Sequence, residues 1–410
     1  PNNAGNLYYT RAGQFGFDKN GFMTNPAGDV LQGWQMDNTA NPPLQVGEAK
    51  DVQITQQGSP ARATSLMNMV LNLKSDSDWK AAIDDLPAGT VTGIDGSDGK
   101  YPAVGTYAVT SALRTADHTG TQVAGAGPFV GTFMINGINI SLDATNAADL
   151  DGLVTTINAQ SGTTGVDATN AGGRLQLTAA APGTDITVST AGVTGNLGWT
   201  SDDVSSTDLY GAQLSLTGPG GLNTGAINVR AAGGSVTNFG DSGLDLALGT
   251  VTAGTQTITV RGLQDATDPS TASNYSSSMT VYDSLGQSHG VTVYFREASP
   301  GNWEWRAWDP AGQQTLGAGT LAFDANGVLQ SPLNPQTISL NGQPLSLSFG
   351  YNGSVTTQTA APSSTNQQTQ DGFPPGTLTN VTVSSDGIIE GHYDNGQNLA
   401  LYRLELANFN

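Results

Sequence analysis

The chain has 410 residues, only 12% of them charged, with 14 Lys and Arg against 34 Asp and Glu and a formal charge of −20. That balance argues against nucleic-acid or anionic-membrane binding by counter-ion release, which needs clustered cations, and no run of ~18 apolar residues is present to span a bilayer. The absence of cysteine removes disulfides, thiolate catalysis and Cys-ligated metals.

The length suggests two to four domains, at roughly 150 residues each. The sequence starts at Pro1 and stops at LELANFN, with no signal peptide visible, and is expected to be a piece of a longer chain or a processed product. In chain order, the first distinctive stretch is YYTRAGQFGFDKNGFMTNPAGDVLQGW (Tyr8–Trp34), with almost no unbroken apolar run. Its DKNG reads as a strand-reversing turn, because Asn and Asp tolerate left-handed backbone and Gly supplies φ > 0. The same device recurs in FDANGVL (Phe323–Leu329) and SSDGII (Ser384–Ile389). A calcium loop beginning at Asp18 fails on spacing. Position six, which needs Gly, is Met23, and position twelve, which needs a bidentate Glu, is Asp29.

Next, SDWKAAIDDL places Trp79, Ile83 and Leu86 on one helical face and stops before Pro87, so a short helix is expected there. The Gly- and Asp-rich stretch Asp84–Tyr101 reads as loops at a domain edge. In TNAADLDGLVTTINAQ, Leu150, Leu153, Val154 and Ile157 fall at i, i+3, i+4 and i+7, which predicts the main helix. Asn146 can cap it with Asp149 in the first turn, and Gly152 weakens it by roughly 1 kcal/mol.

Elsewhere strand signals dominate. QLSLTG, GAINVR, QTITVRGL, SMTVYDS, GVTVYFRE, GNWEWRAWD and QPLSLSFG alternate apolar and polar residues between turn residues, the period of half-buried antiparallel strands. Trp303, Trp305 and Ala307 are expected to face a core and Glu304 and Arg306 the solvent. VYDSLGQSHGVTVYF predicts a hairpin turning at Leu285–Gln287. The polar, breaker-rich Gly353–Gly376 reads as a connector and not as a central strand. The expected fold is mainly β: several β-rich domains of barrel or sandwich type nested by insertion, with a minor α component in an inserted outer domain.

Chemistry-bearing constellations are scarce. His118, His289 and His392 fall in turn-like settings without a second ligand nearby in sequence. No G-x-S-x-G elbow occurs, and the Gly-rich runs lack the strand–helix context and Lys of a phosphate loop. A Ser/His/Asp triad is not recognisable from sequence position. Asp84/Asp85 and Asp202/Asp203 read as surface acids in hydrophilic loops. Trp303, Trp305 and Trp308 could offer a sugar platform, but their alternating spacing favours a core. The N-x-S/T sequons at Asn139, Asn274, Asn352 and Asn380 are unremarkable in so polar a chain. No catalytic, metal-binding or cofactor-binding residue is assigned, and no cofactor is expected.

The two ends of the chain carry a resemblance. Thr10, Arg11, Gly13 and Phe15, followed by Asp18, Gly21, Gly28, Leu31, Gln32 and Gly33, resemble the T-R-A/D-G-x-F and D-x-x-G…L-Q-G stretch near the start of bacterial flagellar axial proteins, the rod and hook family. Asp371, Gly372, Gly376, Leu378, Asp386, Gly387, Gly391, Asn395, Gly396, Ala407 and Phe409 are similar to the matching segment near their end. SMTVYDSLG (Ser278–Gly286), Val293–Phe295 and Trp303–Glu304 resemble the middle domain of the hook type. Ser59–Asp76 looks like that family's exit from its inner domain. Ile135–Val188 resembles a motif seen in flagellins and hook-type insertions. The family's long heptad-patterned ends are absent.

The resemblance implies a non-enzymatic structural subunit of the flagellar hook, exported by the flagellar secretion system to the cell exterior. It would polymerise with itself into a flexible helical tube that carries torque as a universal joint, beside rod, hook-cap and hook–filament junction proteins, with no nucleic-acid or membrane partner. It also implies a split inner domain from 1–72 plus 356–410, a middle domain from 73–119 plus 237–355, and an inserted outer α+β domain at 120–236. A distal-rod subunit, or a secreted carbohydrate-binding or adhesive β-protein, is the alternative.

Overall fold

In the computed structural model, residues 7–405 are described apart from 12, 39, 41, 56–57, 84–85, 87, 97–100 and 235. Among the described residues the architecture is mainly β, in short, mostly antiparallel sheets around four larger apolar cores, with a small fifth cluster of Ala82, Ala266 and Ala272. The two ends share one sheet, in the order Leu378–Val383, Ile388–Tyr393, Asn398–Leu404, Gln32–Asp37 and Leu44–Asp51. A small core of Met23, Val52 and Ile389 lies under it.

The largest β unit packs two five-stranded sheets. One is the meander Tyr275–Tyr282, Ser288–Ser299, Asn302–Asp309, Gln314–Phe323 and Leu329–Ser331. Its hairpin turns at Leu285–Gln287, as the sequence predicts, with Gly286 at φ 83°. The other is built around Leu66–Lys74, whose sequence LMNMVLNLK is buried along nearly its whole length. Met67, Met69, Leu71 and Leu73 meet Trp303, Trp305 and Phe349 in the shared core, while Asn68 and Asn72 face the other way and are hydrogen-bonded. A strand apolar on one face and amide-bearing on the other fits the middle of a sheet covered on both sides.

A third unit packs the sheet Asn223–Val229, Ala212–Thr217, Gly105–Leu113 and Gly254–Val260 against Val236–Phe239, Leu244–Leu248 and Val91–Gly96. The fourth surrounds helix Leu150–Asn158 with two three-stranded sheets and a core of Phe129, Phe133, Ile135, Leu153, Ile157 and Leu177.

Several expectations are corrected. Residues 77–83 form no helix. Ala82 exchanges backbone hydrogen bonds with Arg261 (3.0 and 2.9 Å), and this pairing leaves Trp79, Ile83 and Leu86 packed on the third core from an extended chain. The helix at Leu150 is capped by Asp149, whose Oδ1 accepts from Gly152 N at 2.8 Å. Asn146 instead closes the preceding turn through Asp143 N (2.8 Å) and Ser141 O (3.1 Å).

The polar segment 353–376 is no mere connector. Thr357–Thr359 and Ser364–Gln370 pair with Leu66–Lys74, parallel and antiparallel respectively. Their polar side chains stay hydrogen-bonded while packed: Thr365 Oγ1 bonds Tyr275 Oη (2.8 Å) and Ser277 Oγ (2.7 Å), and Gln368 bonds Ser277. Satisfied side-chain amides and hydroxyls can line a seam that composition alone assigns to solvent.

Arg306, expected at the surface, is buried, because residues 261–272 cover that face and Nη1 donates to Leu263 O (3.0 Å) and Ala266 O (2.6 Å). The three histidines lie in strands rather than turns. Trp303 and Trp305 are core residues, 0% and 1% exposed. Residues 66–74 belong with 275–359, and residues 91–113 pair with 212–260.

Candidate functional site: the paired end segments

Several motif residues of the two ends gather around one sheet. Asp18 starts a five-residue turn in which its Oδ1 accepts from Asn20 N (2.9 Å) and Phe22 N (2.8 Å), and Gly21, at φ 80°, donates to Asp18 O. An Asp carboxylate can mimic a backbone acceptor two and four residues on, so the turn closes without any ion. The pattern repeats at Asn25–Gly28, Asp283–Gly286, Asp324–Gly327 and Ser384–Gly387, with Asn, Asp or Ser as acceptor. In SSDGII the acceptor is thus Ser384; Asp386 is exposed at the tip.

Phe15 and Leu31 pack against the small core. Gln32 reaches Asp51 across the sheet. Gly33 pairs with Leu404, and a Cβ there would lie 2.8 Å from Arg403 O, so this crossing of the two ends requires glycine. Asn38 extends the ladder with its side chain, donating to Ala400 O (2.8 Å) and accepting from Ala400 N (3.0 Å). Asn395 donates to Ser59 Oγ and Pro374 O, both at 2.8 Å, directly over Gly376. Gly396 closes its turn at φ 80°. Thr10, Arg11 and Gly13 lie exposed outside any strand, and Phe409 is outside the described residues.

Asp371 joins the end sheet to the next unit. Its carboxylate accepts from Ser65 N (2.8 Å), Leu66 N (2.9 Å) and Ser65 Oγ (2.6 Å), and pairs with Arg62 at 3.3 Å. Partial burial pushes this carboxyl upward, but those donors and the Arg62 charge outweigh it and hold it below the usual carboxylate range. Gly372 packs against Thr64, leaving no room for a Cβ. Thr64, fully buried, receives Tyr282 N on its hydroxyl and donates its own N–H to Tyr282 O. Sequence reasoning missed Asn38, Ser59 and Thr64, since their partners lie more than 200 residues away.

A cleft of about 220 Å³ opens beside the end sheet, lined by Met36, Asn38, Ser59 and Pro60, with Tyr393 and Tyr402 as its titratable side chains. It holds no acid–base pair or nucleophile–base geometry of the kind catalysis needs. Outside the end segments, His118 Nε2 lies 2.9 Å from Asp203 Oδ1. Asp203 is buried, not a surface acid, and accepts as well from Thr121 and Thr200 as the N3 partner of a capping box. Burial raises its carboxyl, and the donors of Thr200, His118 and Thr121 more than offset this, for a large net lowering. With every oxygen occupied, the cluster reads as a structural staple.

Comparison with known proteins gives these features a context. The family model described as the flagellar hook protein FlgE/F/G D1 domain matches residues 1–59, the flagellin hook IN motif matches 131–181, and the flagellar basal body protein FlaE D2 domain matches 249–373. The chain is 34% identical over 142 residues to the flagellar hook protein FlgE of Escherichia coli (strain K12), covering 33% of this chain and 35% of that protein. It is 31% identical over 158 residues to the flagellar hook protein FlgE of Helicobacter pylori (strain ATCC 700392 / 26695), covering 34% and 22% respectively. The match thus spans about a third or less of each of these relatives. A crystal structure of Helicobacter pylori flagellar hook protein FlgE2 aligns over 96% of this chain and 80% of that one, at 15% identity and a TM-score of 0.39. Together, the domain matches and the hook relatives support a flagellar hook protein.

Proposed function

We propose that this chain is a structural subunit of the bacterial flagellar hook, polymerising with copies of itself into a flexible helical tube that passes motor torque to the filament. The observation that carries the reading is the pairing of residues 32–51 with 378–404 in one sheet. Both ends of the described chain meet at one pole, and everything between them is added as nested insertions. A helical tube needs heterologous contacts that repeat without closing, and a subunit with both ends at one pole can present that pole to the tube axis and its insertions outward. Rod, hook-cap and hook–filament junction proteins are the neighbours this role requires, with export by the flagellar secretion system to the cell exterior. The role involves no catalysis, in keeping with relatives that are hook proteins. We divide the chain into four nested units, one per larger core, with the split end unit innermost.

A chimera tests this. In a motile bacterium lacking its own hook subunit, residues 7–405 would replace the corresponding part of the host subunit between the host's own ends. The expected result is hooks by electron microscopy and restored swarming. Export of a folded chimera that yields no hook, or only extended rods, would refute the reading.

A further inference from the structure

We infer that Asn352 is a site of spontaneous, backbone-driven deamidation, the one among six Asn-Gly pairs that the fold leaves most open to react. The inference rests on covalent chemistry and is independent of the proposed function. The pairs are 20–21, 136–137, 326–327, 341–342, 352–353 and 395–396. In each, the following glycine nitrogen can attack the Asn side-chain carbonyl, because glycine has no Cβ to obstruct the approach. The sequence makes the six equal at the reacting pair, and the structure separates them.

Asn20 and Asn326 sit in the Asp-type turns. Their glycine N–H groups are engaged by Asp18 O and Asp324 O, and the glycine carbonyls accept from Ile54 N and Gln358 N, both at 2.8 Å, so the peptide is pinned on both sides. Asn395 has its amide held by Ser59 and Pro374 and its Oδ1 by Gln397 N. Asn136 donates to Thr164 O (2.9 Å) and accepts from Thr187 N (2.7 Å) and Thr187 Oγ1 (3.1 Å). Asn341 has one long contact, from Gln314 Nε2 at 3.4 Å, and tips a hairpin of a five- and a six-residue strand.

Asn352 shares its exposure and turn geometry with Asn341, where φ is 51° and Gly342 is at 84° with nothing within 4 Å of its Cβ position, but it lacks even the Gln314 contact and sits in a shorter hairpin. It is exposed, at φ 49°, and forms the turn with Gly353 at φ 82°, the two positive values of a type I′ hairpin. Among the described residues neither its side-chain amide nor the Gly353 N–H has a hydrogen-bond partner, and nothing lies within 4 Å of where a Gly353 Cβ would be. The hairpin that holds it has only two residues per strand, Gly350–Tyr351 and Ser354–Val355, so it opens more easily than the longer ones.

Gly353 N bonds to Asn352 Cγ, closing a five-membered succinimide, and the Cγ–Nδ2 bond breaks. Nδ2 leaves as ammonia, carrying the proton lost by Gly353 N. Water then opens the ring at either carbonyl, giving aspartate or isoaspartate. Both products add one negative charge.

The test is a peptide map of the intact native chain during prolonged incubation in mildly alkaline buffer, with a parallel sample unfolded in urea. We expect a mass gain of about 1 Da, with isoaspartate, to accumulate first at Asn352. It should run about tenfold or more ahead of Asn136 and Asn395, the equivalent of about 1.4 kcal/mol or one to two hydrogen bonds at the slower sites. In urea the six rates should converge. Native rates at Asn352 no faster than at Asn136, or a ranking that survives unfolding, would overturn the inference.

Discussion

Truncating Asp371 to Ala should loosen the joint between the end sheet and the sheet built on Leu66–Lys74 while leaving both sheets folded. The carboxylate bonds two successive backbone donors, Ser65 N and Leu66 N, and the Ser65 hydroxyl, and its side chain is 28% exposed. Arg62 is 59% exposed, so its share of the joint is at most about 1 kcal/mol. Two backbone donors deprived of a charged acceptor, and partly reachable by water, cost about 2 to 4 kcal/mol together. Local opening at residues 65–66 should therefore rise roughly 30- to 700-fold. Amide hydrogen exchange at Ser65 and Leu66 reads this directly, which a global melting curve of a chain with several cores does not. The pH dependence has a definite sign. Because the folded carboxyl lies below its unfolded value, its contribution is complete above about pH 4 and is lost as pH falls through the folded value. Unchanged protection at Ser65 and Leu66 in Asp371→Ala, or an equal loss in Arg62→Ala, would refute this account of the clasp.

Three further outcomes are expected. Glu297 is fully buried, accepting from Ser77 N (3.0 Å) and Gln358 Nε2 (3.3 Å); burial pushes its carboxyl up to about 7, against the pull of the Ser77, Tyr101 and Gln358 bonds. A folded value above the unfolded one means stability falls as pH rises from about 4.5 to about 7, by as much as about 3 kcal/mol. Glu297→Gln should flatten that slope in urea titrations at several pH values; an unchanged slope would assign it to another group. Gly33→Ala places a Cβ 2.8 Å from Arg403 O and 3.1 Å from Val52 Cγ2. The ladder must shift at a cost of about 1 to 3 kcal/mol, seen as faster exchange in Gln32–Asp37, and native-like protection there would count against it. Asp203→Ala strips acceptors from Thr121, Thr200 and His118 at a buried position. It should destabilise the helix-bearing core by about 2 to 4 kcal/mol, reported by Trp199 fluorescence, with exchange in the end sheet unchanged.

What the sequence showed, and what it hid, follows from the range of the interactions. The Asp18, Asp324 and Ser384 turns were legible because acceptor, donors and glycine all lie within five residues. The hairpin at Gly286 and the helix at Leu150 were legible for the same reason, since periodicity is a local property. The extended run at 77–83 was not, because Ala82 is held by Arg261, and a partner 179 positions away outweighs a weak helical pattern. Residues 364–370 were misjudged because STNQQTQ has no apolar face to detect. Its place in the sheet is reinforced by hydroxyl and amide partners on Asn68, Tyr275 and Ser277. Arg306 and Asp203 fall in the same class: charged residues that composition sends to the surface, retained inside because Arg306 donates to Leu263 O and Ala266 O and Asp203 accepts from Thr121, Thr200 and His118.

The joints between units show why such nesting is stable. Residues 59 and 62 bridge 376 and 373, residue 82 bridges 261, and Leu113 pairs with Ala212. At all three places the chain leaves one unit and returns to it on neighbouring antiparallel strands. The unit left behind therefore has its cut ends a strand spacing apart, and the insertion closes no extra loop within it. Each joint is then reinforced by a hydrogen-bonded charged group. Asp371 serves the first; Arg296, bonded to Lys80 O and to Glu304, serves the second; Arg114, donating to Asp208 O and Tyr210 O, serves the third. Hydrogen bonds are directional, so these contacts fix an angle between units where apolar contact would allow sliding. In the proposed tube, such joints would place the compliance between subunits, with each subunit moving as a stiff piece. Breaking the first joint with Asp371→Ala in the chimeric hook should accordingly lower bending stiffness without preventing assembly, as measured by the curvature fluctuations of isolated hooks. Unaltered stiffness in assembled mutant hooks would locate the compliance elsewhere.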